Sequence, residues 1–196
     1  MLKRNGWTRS RIALREWMPV IVLMCCTFVF NTSEFIPIGL LSDIAADFGI
    51  TEARAGLLIT VYAWVVALVS LPLMLAVARM ECRRLMLGVL GLCIASHVLS
   101  GLSSSYAMLM ASRIGVACAH AVFWSIVSPL AVRVAPKGAQ SAALGLIITG
   151  TSIAMIVGLP LGRVIGLYVG WRTTFFFIAA VAAAVWLVLA AIFPPV

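Results

Sequence analysis

Charge is what this 196-residue sequence has least of. Asp, Glu, Lys and Arg make up 10% of it, against about 25% in a soluble globular domain. With 64% hydrophobic residues, the polar surface is too small to coat a water-soluble globule, and a polytopic membrane protein is expected. Acidic groups are the scarcer sign: Asp and Glu number 6 against 14 Lys and Arg, a net charge of +8. An excess of cations can mark a nucleic-acid binder, but these do not gather in one patch. They fall between apolar runs, where they act as topology determinants, so no nucleic-acid partner is expected. Reactive motifs are missing as well. There is no phosphate loop, zinc ligand set or nucleophile motif. Cys25, Cys26, Cys82, Cys93 and Cys118 have no metal-ligand spacing, and four of them lie inside apolar runs as small buried residues. Nothing in these motifs points to an enzyme, a cofactor or a metal.

Long apolar runs, in contrast, fill the chain. Residues 17–41, 55–78, 85–102, 107–132, 139–167 and 173–193 are each read as a membrane-spanning helix. Residues 1–16 form a basic segment with no small-residue cleavage site after the first run, and so a retained first helix follows it, not a cleaved signal. Lys3, Arg4, Arg9, Arg11, Arg15, Arg79, Arg83, Arg84, Arg133 and Lys137 fall on one side of this arrangement, and Arg54, Arg163 and Arg172 on the other. The positive-inside rule then places both termini in the cytoplasm. The segment SDIAADFGITEAR, with Asp43, Asp47 and Glu52, is expected to be an outside loop, and residues 194–196 begin a linker.

The first run carries one carboxylate, Glu34. An ionisable group within a span is costly, and usually faces a wet cavity or protein interior on an ion or substrate path. At ~1.5 Å per residue, Glu34, Arg113 of the fourth span and His97 of the third sit at nearly one depth, which makes Glu34 and Arg113 expected partners. Snorkelling of Arg113 alone is the competing reading. Asn31 lies one turn below Glu34 on nearly the same face. Trp64, His120 and Trp124 lie toward mid-membrane and are weaker candidates, since a buried Trp or His more often packs than binds. In the fifth span Gly150, Ala154, Gly158, Gly162 and Gly166 recur every four residues, a stripe that lets another backbone approach closely. Pro160 removes a donor there and invites a kink.

Several stretches resemble the major facilitator superfamily, and in particular its bacterial drug/proton antiporter branch and the sugar efflux transporters of the SotB type. They are FNTSEFIPIGLLSDIAADFGI, YAWVVALVSLPLML, ASHVLS, SRIGVACAHAVFWS and GLPLGRVIGLYVGWRTTFF. The resemblance covers the whole chain. It implies an all-α membrane fold of six transmembrane helices, the N-terminal half of a twelve-helix transporter, built from two inverted three-helix repeats. It also implies proton-driven export of sugars or sugar-like solutes across the bacterial inner membrane, with the proton gradient as energy source and a missing C-terminal half, or a second copy, completing the cavity. On that basis Glu34, Arg113 and His120 are proton-coupling candidates, and Asn31, Trp64 and Trp124 are substrate-binding candidates. Gly158, Pro160 and Gly162 match the antiporter motif of the fifth helix, and Arg83 and Arg84 match the basic pair of the cytoplasmic loop. That loop departs from the family pattern at two positions, with Leu75 where the family has Gly and Arg79 where it has Asp. Export of drugs or nucleosides, and a truncated non-transporting half, are the alternative readings.

Overall fold

The computed structural model describes residues 6–194. The main-chain elements are α1 (Gly6–Gly39), α2 (Leu41–Phe48), α3 (Glu52–Val77), α4 (Cys82–Gly101), α5 (Tyr106–Val134), α6 (Gln140–Ile153), a π-helical turn (Ala154–Gly158), α7 (Leu159–Val169) and α8 (Trp171–Ile192). Among the described residues, six helical stretches are long and apolar enough to cross a membrane, α6, the π turn and α7 counting as one. In hydrocarbon every backbone N–H and C=O must bond within its own segment, so long uncharged runs settle as helices.

The ends of the elements follow local chemistry. Thr51 accepts a hydrogen bond from the Arg54 N–H at the start of α3, and Ser105 accepts one from the Met108 N–H at the start of α5. One sequence expectation is corrected. Part of the segment expected to be an outside loop is α2, a short helix with Ile44 and Ala45 buried and a left-handed Gly49 closing it. The basic segment 1–16 is helical from Gly6 onward. Its first five residues, and residues 195–196 of the expected linker, lie outside the described residues.

The packing is arranged as two interlocked triplets. α4 packs on α8, α3 on α5 and α1 on α6, while α4 also meets α5 and α1 also meets α8. Exchanging the first three spans for the last three maps this set of neighbours onto itself, as expected of inverted repeats. Among the described residues three apolar clusters lie along the bundle, the smallest of them Tyr62, Val116 and Ala117. The largest includes Leu23, Phe30, Met86, Leu90, Phe123 and Val127. The second, which includes Ile36, Leu40, Ile44, Trp171 and Phe175, lies at the end opposite the termini.

The glycine stripe makes the contact between α1 and the fifth span. A Cβ at Gly150 would meet the Met24 carbonyl, and Cβ atoms at Gly158, Gly162 and Gly166 would meet Thr32, Ile36 and Leu40, all but the last on α1 and Leu40 directly after it. The helical ladder is altered before Pro160. It widens in the turn before it, where the Leu159 N–H reaches back to the Ala154 carbonyl, five residues away. Pro160 cannot donate to the carbonyl four residues back and its ring crowds that carbonyl, and one π turn relieves both problems.

Candidate functional site

The C-terminal half of α1 is where the polar side chains converge. Ser33 is the junction. Its hydroxyl meets His97 Nε2 of α4 at 2.5 Å, and its backbone carbonyl accepts from Arg113 Nη1 of α5 at 3.1 Å. That carbonyl is open to a side chain because Pro37, four residues on within α1, has no N–H to give it. Arg113 is 2% exposed, with its guanidinium carbon 5.0 Å from the centre of the Tyr62 ring on α3. Its Nε and the Nδ1 of His97 are buried without a hydrogen-bond partner. One turn below, His120 places Nε2 2.7 Å from the Phe30 carbonyl and Nδ1 3.2 Å from the Val116 carbonyl. Phe30 stacks on Phe123 at 4.0 Å and meets the edge of His120 at 4.8 Å. Asn31 donates to the Thr27 carbonyl at 3.0 Å and to Thr151 Oγ1 of α6 at 3.2 Å. α1 is thereby tied to α4, α5 and α6 within a few residues.

Glu34 is half-buried beside this junction. The expected ion pair with Arg113 is not formed. The pairs among the described residues are Arg84–Glu81, Arg163–Asp43 and Arg172–Asp47. The Arg113 guanidinium is engaged with the Ser33 backbone carbonyl instead. Arg113 is also no snorkelling residue, being fully inside the bundle.

Trp64 and Trp124 stand apart from the cluster. The packed residues of α3 include Leu58 and Tyr62, and Trp64, two positions beyond Tyr62, turns to the opposite side and is 63% exposed. Trp124 is 37% exposed and touches the edge of Phe123 at 5.4 Å. In the fifth-span motif, Gly158 closes the π turn and Gly162 is buried, its carbonyl accepting from Thr174 Oγ1 at 3.1 Å. Pro160 is exposed. Arg83 donates to the Ala190 carbonyl at 2.5 Å, fastening the start of α4 to the end of α8, and Arg84 pairs with Glu81 at 3.2 Å.

Ser33 and Tyr62 do not stand out in the sequence, since a serine or tyrosine in an apolar run carries no distinguishing pattern. The signal for the Ser33 carbonyl is Pro37, one turn later. His97 is visible only through its matching depth.

The end opposite the termini is closed by charge. Arg163 of α7 pairs with Asp43 of α2, and Arg172 of α8 pairs with Asp47 at 2.8 Å. Arg172 also donates twice to the Ser103 carbonyl, at 3.0 and 3.1 Å, and lies over Trp171. A half-exposed ion pair alone contributes about 0–1 kcal/mol, whereas hydrogen bonds from a charged donor contribute about 1.5–3 kcal/mol. Arg172→Ala is therefore expected to lower the unfolding free energy more than Arg163→Ala does. Thermal melting in detergent, with equal melting temperatures for the two variants counting against this, is the measurement.

The family model of the Major Facilitator Superfamily matches residues 23–196. Among solved structures, the fold is similar to that of a bacterial homologue of the human lysosomal transporter Spinster, crystallised in an inward-facing, unoccupied conformation. The TM-score is 0.74 at 19% identity, over 90% of this chain and 43% of that one. The chain thus spans less than half the length of that transporter.

Proposed function

Since the chain belongs to the Major Facilitator Superfamily, we propose that it forms the N-terminal half of a proton-coupled exporter of sugars or sugar-like small solutes in a bacterial inner membrane, with both termini cytoplasmic. One observation carries the reading: Glu34, a half-buried carboxylate, stands next to a buried guanidinium that is bonded to the neighbouring backbone carbonyl and not to the acid.

That arrangement leaves Glu34 able to take a proton. A shift of Arg113 from the Ser33 carbonyl to the Glu34 carboxylate would favour the ionised acid and expel the proton. A small movement of α5 against α1 is enough, because the two acceptors belong to adjacent residues. His120, whose two ring nitrogens both face carbonyls of α1 and α5, holds the same pair of helices and would sense that movement. Asn31 and Thr151, joined across α1 and α6, offer amide and hydroxyl groups of the kind that recognise sugar hydroxyls. A C-terminal half, or a second copy, would supply the opposite wall of the cavity.

The test uses the complete transporter in proteoliposomes. An imposed pH difference should drive uptake of a labelled sugar against its gradient, and with one proton per solute a one-unit difference supports about tenfold accumulation. Sugar movement that ignores the pH difference would remove the coupling. A second reading, export of drugs or nucleosides, is favoured by the exposed rings of Trp64 and Trp124. It predicts that dyes or nucleosides, and not sugars, are accumulated in the same vesicles.

A further inference from the structure

A cavity between α3, α4 and α5 lies at the end of the bundle that carries the termini, away from the polar cluster on α1. Met74, Cys82, Ser125, Pro129, Leu130 and Arg133 are among its lining residues, and it has a volume of about 170 Å³. That is more than the roughly 150 Å³ of apolar space that holds a benzene ring dry. Its wall offers little to a polar solute, since the hydroxyl of Ser125 is already bonded to the Ala121 carbonyl at 2.8 Å.

The charge is confined to one place. Arg133, in the last turn of α5, is exposed at the protein surface. Of the cations nearby, Arg83 and Arg84 at the start of α4 are engaged with the Ala190 carbonyl and with Glu81, and Arg79 in the loop before them is not among the cavity's lining residues. The ion pairs among the described residues do not include Arg133. An apolar, partly open slot with one cation at its rim, at the end of the bundle that carries the termini, complements an amphiphile with a negative head.

We propose that this cavity binds one anionic phospholipid from the leaflet on the side of the termini. Part of an acyl chain fills the slot between Met74, Pro129 and Leu130, and the phosphate rests on the Arg133 guanidinium, which binds it with two parallel N–H donors. The site does not depend on what the transporter carries or on proton coupling.

Cys82, half-buried on the wall, reports occupancy. The protein is reconstituted into phosphatidylcholine vesicles with and without phosphatidylglycerol, and alkylation of Cys82 by the uncharged reagent N-ethylmaleimide is followed by peptide mass mapping, which separates it from the other four thiols. Phosphatidylglycerol should slow Cys82 alkylation about fivefold, the contribution of one cation close to an anionic leaflet. Arg133→Gln should abolish the slowing, and Lys137→Gln, a cation at the same end that does not line the cavity, should leave it intact. Met74→Trp, which fills the slot from the α3 side, should make alkylation insensitive to lipid charge while Arg133 is still present. Equal rates in the two kinds of vesicle would overturn the site. So would slowing that survives Arg133→Gln or Met74→Trp, or that disappears equally with Lys137→Gln.

Discussion

Gly150→Val is expected to stop α6 from seating on α1 and to destabilise the bundle severely. A Cβ at this position would lie 2.5 Å from the Met24 carbonyl oxygen and 3.2 Å from Thr27 Cβ. The first of these is backbone, held in place by α1, and cannot rotate aside as a side-chain tip could. The two helices must separate, and separation breaks the contacts along the whole stripe down to Gly166. Overpacking costs about 1–3 kcal/mol and occasionally more, against a total stability of about 5–15 kcal/mol for a typical domain. A β-branched residue at a backbone contact belongs at or beyond the top of that range. Gly145 supplies the control, being on the same helix with nothing within 4 Å of a Cβ built there. Gly145→Ala should be neutral or stabilise by up to about 1 kcal/mol, the helix-propensity gain. Unfolding by denaturing detergent, followed by circular dichroism, ranks the two variants. A valine variant that unfolds together with the wild type would mean that the stripe does not form this interface.

That contact shows how the sequence constrains the fold. The six spans are legible because hydrocarbon imposes one demand, a long uncharged run, and each run meets it. The stripe is legible because a four-residue period of small residues has one structural use at a helix face. Its partner is not, since a stripe records how close a neighbour comes and not which neighbour it is. α2 is hidden by its length: eight residues with two aspartates read as a polar loop, and only Ile44 and Ala45 against the bundle make them a helix. The π turn is hidden for a different reason. Proline announces a lost hydrogen bond, but whether the helix answers with a kink or a wider turn depends on the packing of Ala154 and Gly158 against neighbouring helices.

The polar cluster is legible in its membership and only partly in its bonding. Depth counting puts Glu34, Arg113 and His97 at one level, and the structure brings Arg113 and His97 to Ser33, the residue next to Glu34. Charge complementarity suggests that the acid takes the guanidinium. The backbone carbonyl takes it instead, because Pro37 leaves the Ser33 C=O without its helical donor and a buried acceptor in that state must find another. The proline is plain in the sequence, but which long side chain answers it depends on how α5 is turned against α1. Trp64 and Trp124 share the cluster's depth range alone, and rotation about the helix axis, which depth does not record, puts them on exposed faces.

Glu34→Gln is expected to uncouple transport without unfolding the half. The amide has the shape of the protonated acid and keeps a donor and an acceptor, but it neither gains nor loses a proton. Because Glu34 makes no ion pair in this conformation, its replacement leaves no stranded partner, and the stability cost should stay within about 0.5 kcal/mol, as for substitutions that break no specific interaction. Arg113→Gln differs on this point. It withdraws a buried charge from the Ser33 carbonyl and the Tyr62 ring, and leaving that carbonyl unpaired costs about 1–3 kcal/mol. The two variants therefore separate motor from scaffold. In proteoliposomes holding the complete transporter, Glu34→Gln should lose accumulation driven by a pH difference while retaining exchange of labelled for unlabelled solute, since exchange needs the cavity to alternate but no net proton movement. Arg113→Gln should impair both and melt at a lower temperature. If Glu34→Gln still accumulates solute in response to a pH difference, the proton binds elsewhere, and His97 and His120, the two buried imidazoles at the same junction, become the residues to replace next.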